Sequence, residues 1–346
     1  MSRIAVLPGD GIGSEVIEQG LRVLSVVAPD LTYEHFDLGA DRYLRDGTTL
    51  PESVLQRFRN EFDAVYLGAF GDPRVPNNEH AKEILLGMRF RLDLYINFRP
   101  CKLLDDRYCP LRGKGRKEVN FVVFRENTEG MYTGIGGQFK RDSEDEIAIE
   151  QEINTRKGVE RIIRAAFAYA RLHGRKRVCM ADKANAMRHG HDLWQRVFKL
   201  VKAEYPEIEA SHLYVDVMAM EMVRAPERFD VIVTMNLFGD ILSDLAAGLV
   251  GGLGVAPAAN ISEGGCAMFE AVHGTAPDIA GKGIANPTGL MLSAAMMRDH
   301  LDQRDAGDRL RKGVYAALAN AETRTGYLGG TTNTAGYTDA VIRLMQ

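Results

Sequence analysis

The feature that most constrains this chain is a repeated local order: an apolar strand, a glycine turn, then an amphipathic helix. It opens at Ile4-Ala5-Val6-Leu7, turns at Pro8-Gly9-Asp10-Gly11-Ile12-Gly13, and continues with Val16, Ile17, Leu21, Leu24 and Val27 at helical spacing, Ser14 reading as the N-cap. The alternation recurs at Asp63–Gly68, where the amphipathic stretch Gly158–Leu172 leads to a strand at Arg177–Ala181, and where Phe229–Thr234 runs into Asn236-Leu237-Phe238-Gly239-Asp240 and a helix. Strand and helix alternating along a whole chain predict an α/β protein with a helix-covered sheet. At 346 residues there is material for about two domains. No repeat, low-complexity linker or charge block marks a boundary between them. The segment from about Val119 to Glu152 is irregular and rich in glycine and charge, and reads as a loop, a lid, or an arm reaching a second subunit.

Composition excludes several classes. With 43 Lys+Arg against 47 Asp+Glu, the net charge of −4 leaves no footprint for nucleic acid or an anionic membrane. The richest apolar segment, Leu242–Val255, is short and broken by Asp244 and glycines, so no transmembrane helix is expected. The N-terminal residues lack the basic, apolar and small-residue order of a signal peptide, and a cytoplasmic enzyme is the expectation. Cys101, Cys109, Cys179 and Cys266 form no CxxC pair and read as free thiols. The 35 glycines, about 10% of the chain against a usage near 7%, are clustered, which marks tight turns or close approach of backbone to a ligand.

Several residue sets carry chemistry. The turn Gly9–Gly13 invites a dinucleotide reading, but its spacing is GxGxG rather than GxGxxG, and an ordinary strand-to-helix turn accounts for it as well. Asp240 and Asp244, four apart, project from one helix face, either as an N-terminal capping pair or as ligands to a shared divalent cation that would relieve their repulsion. Asp216, read as ending the strand Leu213-Tyr214-Val215, is a candidate third oxygen ligand. Arg89, Arg91, Arg99 and Arg125 offer planar forks suited to carboxylates. Lys183 and Tyr132 would complete an acid/base set beside them. The stretch Glu270–Asp278, running on to Thr288, is dense in small residues around His273 and Asp278 and suits a nucleotide pocket.

Seven collinear stretches then identify a family. LPGDGIGSEV at 7–16, RFRLDLYINFRP at 89–100, FRENTEGMYTG at 124–134, DKANAM at 182–187, YVDVMAM at 214–220, NLFGDILSDLAAGL at 236–249 and HGTAPDIAGKGIANPTG at 273–289 resemble, over essentially the whole chain, the metal-dependent β-decarboxylating dehydrogenases of the isocitrate/isopropylmalate type. The resemblance implies a two-domain fold around a large mixed sheet, not a Rossmann fold, with residues 1–99 and 251–346 as a discontinuous cofactor domain. Residues 100–250 would form the dimerising domain, with an arm around 120–152.

It also implies residue roles. Arg89, Arg99 and Arg125 would hold substrate carboxylates, Tyr132 would be the proton donor and Lys183 the general base, with Asn185 beside it. Asp216, Asp240 and Asp244 would ligate Mg²⁺ or Mn²⁺ in a site shared across a homodimer, Lys183 and Asp216 coming from the other subunit. Ile12, His273, Gly274, Thr275, Ala276, Asp278, Ala285 and Asn286 would contact the cofactor. Asp278 would meet a ribose 2′-hydroxyl and repel a 2′-phosphate, which selects NAD. Leu85 and Leu86 offer an apolar wall to the C3 substituent, so an isopropyl-bearing malate, the substrate of an oxidative decarboxylation in leucine synthesis, is the expected substrate. Lys82, where many isopropylmalate enzymes carry Glu, and the wording RENTEG keep D-malate, tartrate, other 3-alkylmalates and homoisocitrate as rivals. A non-catalytic regulatory subunit is the rival from another class.

Overall fold

In a computed structural model describing residues 2–346, the chain forms, in order, β1 (Arg3–Gly9), α1 (Gly13–Val27), β2 (Thr32–His35), α2 (Ala40–Asp46), α3 (Glu52–Glu61), β3 (Ala64–Ala69), α4 (Glu79–Arg91), β4 (Ile96–Lys102), β5 (Asn120–Glu126), β6 (Gly136–Phe139), β7 (Ile147–Glu150), α5 (Arg156–Leu172), β8 (Arg177–Asp182), α6 (Arg188–Lys202), β9 (Glu209–Tyr214), α7 (Val215–Arg224), β10 (Val231–Thr234), α8 (Asn236–Val250), β11 (Pro257–Ile261), β12 (Ala267–Ala271), α9 (Thr288–His300), α10 (Arg304–Ala319) and α11 (Thr334–Leu344). Ten strands form one sheet in the order β2-β1-β3-β12-β11-β4-β5-β10-β8-β9, and β6 and β7 pair separately as a hairpin. The sheet is mixed because β4 runs antiparallel to both β5 and β11, and β11 antiparallel to β12, while the outer strands are parallel.

Parallel strands buried on both faces read as continuous apolar runs, and β3 and β10 are buried at every position. The core lies in four clusters, two on each half of the sheet. On one half, α1, α9, α10 and α11 cover one face with Val16, Leu24, Leu290, Leu310 and Val341, while α3 and α4 cover the other with Phe58 and Ile84. On the other half, α5 and α6 bring Ile162, Phe167 and Trp194 to one face, and α7 and α8 bring Met218, Met222 and Leu242 to the other. Each fully buried side chain of this size contributes about 1.5–3 kcal/mol.

Two local readings are corrected. Ser14 is not the N-cap of α1: the helix starts at Gly13 after Ile12, with no side-chain cap. Its entry is fixed instead by tertiary contact, Ile12 N–H donating to Thr275 O at 2.9 Å. Asp216 does not end a strand, because β9 stops at Tyr214 and Asp216 stands in the first turn of α7. The helix at 158–172 appears as α5, whose start is set by Thr155 accepting the Gly158 N–H. No helix is long and apolar enough to cross a membrane among the described residues.

Candidate active site

The site grows from the middle of the sheet. Register places Asn97 opposite Arg125 and Arg125 beside Thr234, so the arginines of β4 and β5 lie next to the end of β10, from which α8 departs. Arg125 is buried to 1% exposure. Its Nε and Nη2 donate to Asn236 Oδ1 at 3.0 and 2.7 Å, and its Nη1 pairs with Asp240. Gly239 permits this approach, since a Cβ there would stand 2.5 Å from the Arg125 stem. Arg99 donates to Asn97 Oδ1 and Ser243 Oγ, both at 2.7 Å, and lies 3.3 Å from Asp244 and 3.6 Å from Asp240. Tyr132, in the short turn Met131–Thr133, donates its hydroxyl to Asp240 Oδ2 at 3.1 Å, and its ring lies under the Arg125 guanidinium.

Charge is crowded here. Burial, followed by the neighbouring Arg99 charge, pushes Arg125 down to about 10, and burial likewise lowers Arg99. Burial would raise the Asp240 carboxyl, yet Arg125 and then Arg99 outweigh it and hold it below its usual value. Asp244 is raised, by burial first. Tyr132 is also raised by burial, so its phenol keeps its proton at neutral pH. Arg89, in the last turn of α4, pairs with Glu270 of β12 at 2.9 Å. Leu85, Phe70, Arg89, Arg99, Glu270 and His273 line the adjoining cleft, whereas Leu86 is half-buried and outside that lining. Arg91 points elsewhere and pairs with Glu52.

Lys183 and Asp216 form a second, separate pair. Lys183 Nζ lies 2.6 Å from Asp216 Oδ1, and that hydrogen bond holds the Asp216 carboxyl low. Asn185 is exposed in the loop that follows. Asp216 therefore does not join Asp240 and Asp244 within one chain, and no cluster of three acidic, His or Cys side chains fit for a metal occurs among the described residues. Asp240 and Asp244 sit in the second and third turns of α8, beyond reach of a simple capping role. Both are partly exposed oxygen donors on one face, a donor set that fits a hard divalent cation.

The two glycine turns meet. Gly11 has φ +55°, and a Cβ there would stand 2.2 Å from Thr275 O, so only glycine allows the contact. On the second turn, His273 Nδ1 lies 3.0 Å from Gly274 O. A carbonyl only accepts, so the proton is on Nδ1 and Nε2 is a buried acceptor with no partner among the described residues. Burial lowers the imidazole's proton affinity and keeps it neutral. Asn286 Oδ1 accepts from Thr288 N–H at 3.0 Å, and its Nδ2 is left buried without a partner among the described residues. An unfilled acceptor on His273 and an unfilled donor on Asn286, with Asp278 exposed and free of ion pairs among the described residues, are groups of the kind that fit the adenosine half of a dinucleotide. Ile12 and Ala285 are buried.

Sequence reasoning did not assign Asn236, Ser243, Asn97 or Glu270, although Asn236, Asn97 and Ser243 stand inside the matched stretches. It also did not find Asp10, whose carboxylate accepts from Ala40 N–H at 2.6 Å and Gly71 N–H at 2.8 Å and lies 2.8 Å from His80 Nε2, tying the first glycine turn to α4.

A mixed sheet that concentrates arginines, carboxylates and a tyrosine beside a cleft, next to paired glycine turns, defines an α/β enzyme for anionic small molecules. Residues 3–341 match the isocitrate/isopropylmalate dehydrogenase family. The chain belongs to that family and is a decarboxylating dehydrogenase. It is 46% identical over 338 residues to the 3-isopropylmalate dehydrogenase of Streptomyces griseus, covering 96% of each chain, and 44% identical over 322 residues to that of Thermobifida fusca, covering 91% of each. Among solved structures, the isocitrate dehydrogenase from Methylococcus capsulatus superposes with a TM-score of 0.92 at 38% identity, covering 100% of this chain and 99% of the other.

Proposed function

We propose that this chain catalyses the NAD-dependent oxidative decarboxylation of (2R,3S)-3-isopropylmalate to 4-methyl-2-oxopentanoate and CO₂, the leucine-biosynthetic step, as a cytoplasmic homodimer. The observation that carries the reading is the convergence of Arg99 and Arg125, both depressed by burial, on Asp240 beside Arg89 and a cleft faced by Leu85. Such a concentration of guanidinium groups is matched by a dicarboxylate, and its apolar wall by an alkyl group. Relatives of 44–47% identity bearing the name 3-isopropylmalate dehydrogenase support the choice.

Arg89, Arg99 and Arg125 orient the two carboxylates. Lys183 of a second copy, with Asp216 of that copy beside Asp240 and Asp244, takes the 2-hydroxyl proton at Nζ. Tyr132 Oη, protonated at neutral pH, delivers a proton to C3 once CO₂ has left. Bound NAD supplies the hydride acceptor and a divalent cation supplies Lewis-acid polarisation of the 2-keto oxygen. Ile12, His273–Ala276, Asp278, Ala285 and Asn286 hold the adenosine side, with Asp278 on the ribose hydroxyls. Asn185 assists at the substrate. The four core clusters divide close to 1–99 with 251–346 and 100–250, Tyr95 and Val255 being the buried members that cross it, and this supports that division, with the β6–β7 hairpin as the arm.

D-Malate- and tartrate-type substrates form the second reading, favoured by Lys82, which is exposed on α4. A regulatory subunit is disfavoured by the intact Tyr132, Lys183 and aspartates. Relative kcat/KM on 3-isopropylmalate, D-malate, tartrate, isocitrate and homoisocitrate tests the proposal, and any other acid leading would overturn it.

A further inference from the structure

The main chain at Lys183 is unusually constrained. Its carbonyl accepts from Ala186 and Met187 N–H at 2.9 and 2.8 Å, and the next amide, Ala184 N–H, donates to Asp182 Oδ1 at 3.0 Å. Its own N–H donates to His191 Nδ1 at 2.7 Å. A backbone N–H can only donate, so Nδ1 is bare and the ring proton sits on Nε2. That Nε2 lies 3.0 Å from Glu152 Oε2 and donates to it. The His191 side chain is fully buried and that of Glu152 is 7% exposed, with the Phe238 ring edge-on to the imidazole. Helix α6 begins after Met187 without any side-chain cap, so His191 in its first turn ties the helix start to Lys183.

Glu152 stands at the base of the β6–β7 hairpin, next to the Gly130–Ile153 bridge in which Gly130 N–H donates to Ile153 O at 2.8 Å. Gly130 is two residues before Tyr132. A path of hydrogen bonds joined by one covalent step, Glu152 to Ile153, therefore runs from Gly130, near Tyr132, to the backbone of Lys183, and Gly130, Ile153, Glu152 and His191 have no role in the reaction described above.

We propose that His191 and Glu152 are positioning residues for Lys183: Glu152 fixes the tautomer of His191, and His191 fixes the main chain from which the Lys183 side chain departs. The proposal rests on the reading of Lys183 as the general base. It requires no contact of either residue with substrate. Their loss should change turnover rather than binding, because a displaced base still leaves the arginines intact.

The test measures kcat and KM of the purified enzyme with NAD, Mg²⁺ and its best dicarboxylate for His191→Leu, His191→Asn, Glu152→Ala and Lys183→Met. His191→Leu should lower kcat by at least about tenfold, with KM within about threefold of the parent. His191→Asn, whose Oδ1 can replace Nδ1 as the acceptor, should recover most of that loss, and Glu152→Ala should fall between the two. A folded His191→Leu with parental kcat overturns the proposal, as does an Asn variant no better than the Leu variant. If His191→Leu does not fold, parental kcat in Glu152→Ala overturns it instead. Lys183→Met separates the two layers. Turnover surviving in that variant removes the base reading and this proposal with it, whereas an inactive Lys183→Met beside a fully active His191→Leu removes the positioning proposal alone.

Discussion

Replacing Asp240 with Asn removes one negative charge while leaving the side chain's shape, and the structure sets what this should cost. Asp240 faces Arg125 in an ion pair, Arg99 at 3.6 Å and the Tyr132 hydroxyl at 3.1 Å. Breaking a wholly buried pair costs about 3–5 kcal/mol because the remaining charge loses its partner. Arg125 is 1% exposed but the Asp240 side chain is 37% exposed, so solvent screens part of the loss and about 2 kcal/mol is the expected destabilisation. For a chain of this size that lowers Tm by roughly 3 °C. The pH dependence follows from the depressed Asp240 carboxyl, whose ordinary value is 3.8. A carboxyl with a lowered folded-state value contributes its full stability above the unfolded value and loses it as pH falls through the folded one. The Tm gap between parent and variant should hold at neutral pH and close below about pH 4. Turnover should fall by roughly a thousandfold, equivalent to about 4 kcal/mol of lost transition-state stabilisation. Calorimetric scans across pH and NADH-linked rates with and without chelator provide the measurements. An Asn variant with the parent's Tm at pH 7, or with rates within tenfold of the parent's when Mg²⁺ is supplied, would overturn this reading.

Other outcomes are equally specific. Leu85→Ala should cut kcat/KM for 3-isopropylmalate by roughly thirtyfold, about 2 kcal/mol of apolar contact, while leaving D-malate nearly unchanged; equal losses on both would remove Leu85 from the alkyl pocket. Asp278→Lys should raise the NADP/NAD ratio of kcat/KM, and an unchanged ratio would sink the ribose assignment. Cys101, Cys179 and Cys266 are buried, and burial raises all three thiols, Cys179 to about 11 and Cys266 to about 12, so a thiol reagent at pH 8 should modify Cys109 first and the other three only on unfolding. Asn236→Ala leaves two donors of a buried guanidinium without an acceptor and should lower stability by about 2–3 kcal/mol, read as a drop in the denaturant midpoint.

What the sequence made legible was local or contiguous. The strand at Ile4–Leu7, the helix near 158–172 and the carboxylate pair on α8 follow from period and spacing within one segment, and the structure places each where its pattern put it. The sharing of Arg125 between Asn236 and Asp240 was half legible, because both lie in the stretch Asn236–Leu249 but nothing local aims Arg125 at them. Pairings across the sheet left no trace in any window: Arg89 and Glu270 are 181 positions apart, and Asp10 and His80 are 70 apart. Ser14 misled because local capping preference was overruled by the tertiary hydrogen bond from Ile12 to Thr275. Asp216 misled because the apolar run Leu213-Tyr214-Val215 spans the end of β9 and the start of α7, which share no turn residue between them.

The arginine-lined cleft is proposed to serve an alkyl-substituted malate with NAD and a divalent cation. Initial rates of NADH formation, measured for the purified chain on 3-isopropylmalate, D-malate, tartrate, isocitrate and homoisocitrate, each with Mg²⁺ and with chelator, test it most directly. 3-Isopropylmalate should lead in kcat/KM by at least about tenfold, and chelation should abolish the rate. A lead by any of the other four acids, or turnover that persists without a cation, would contradict it.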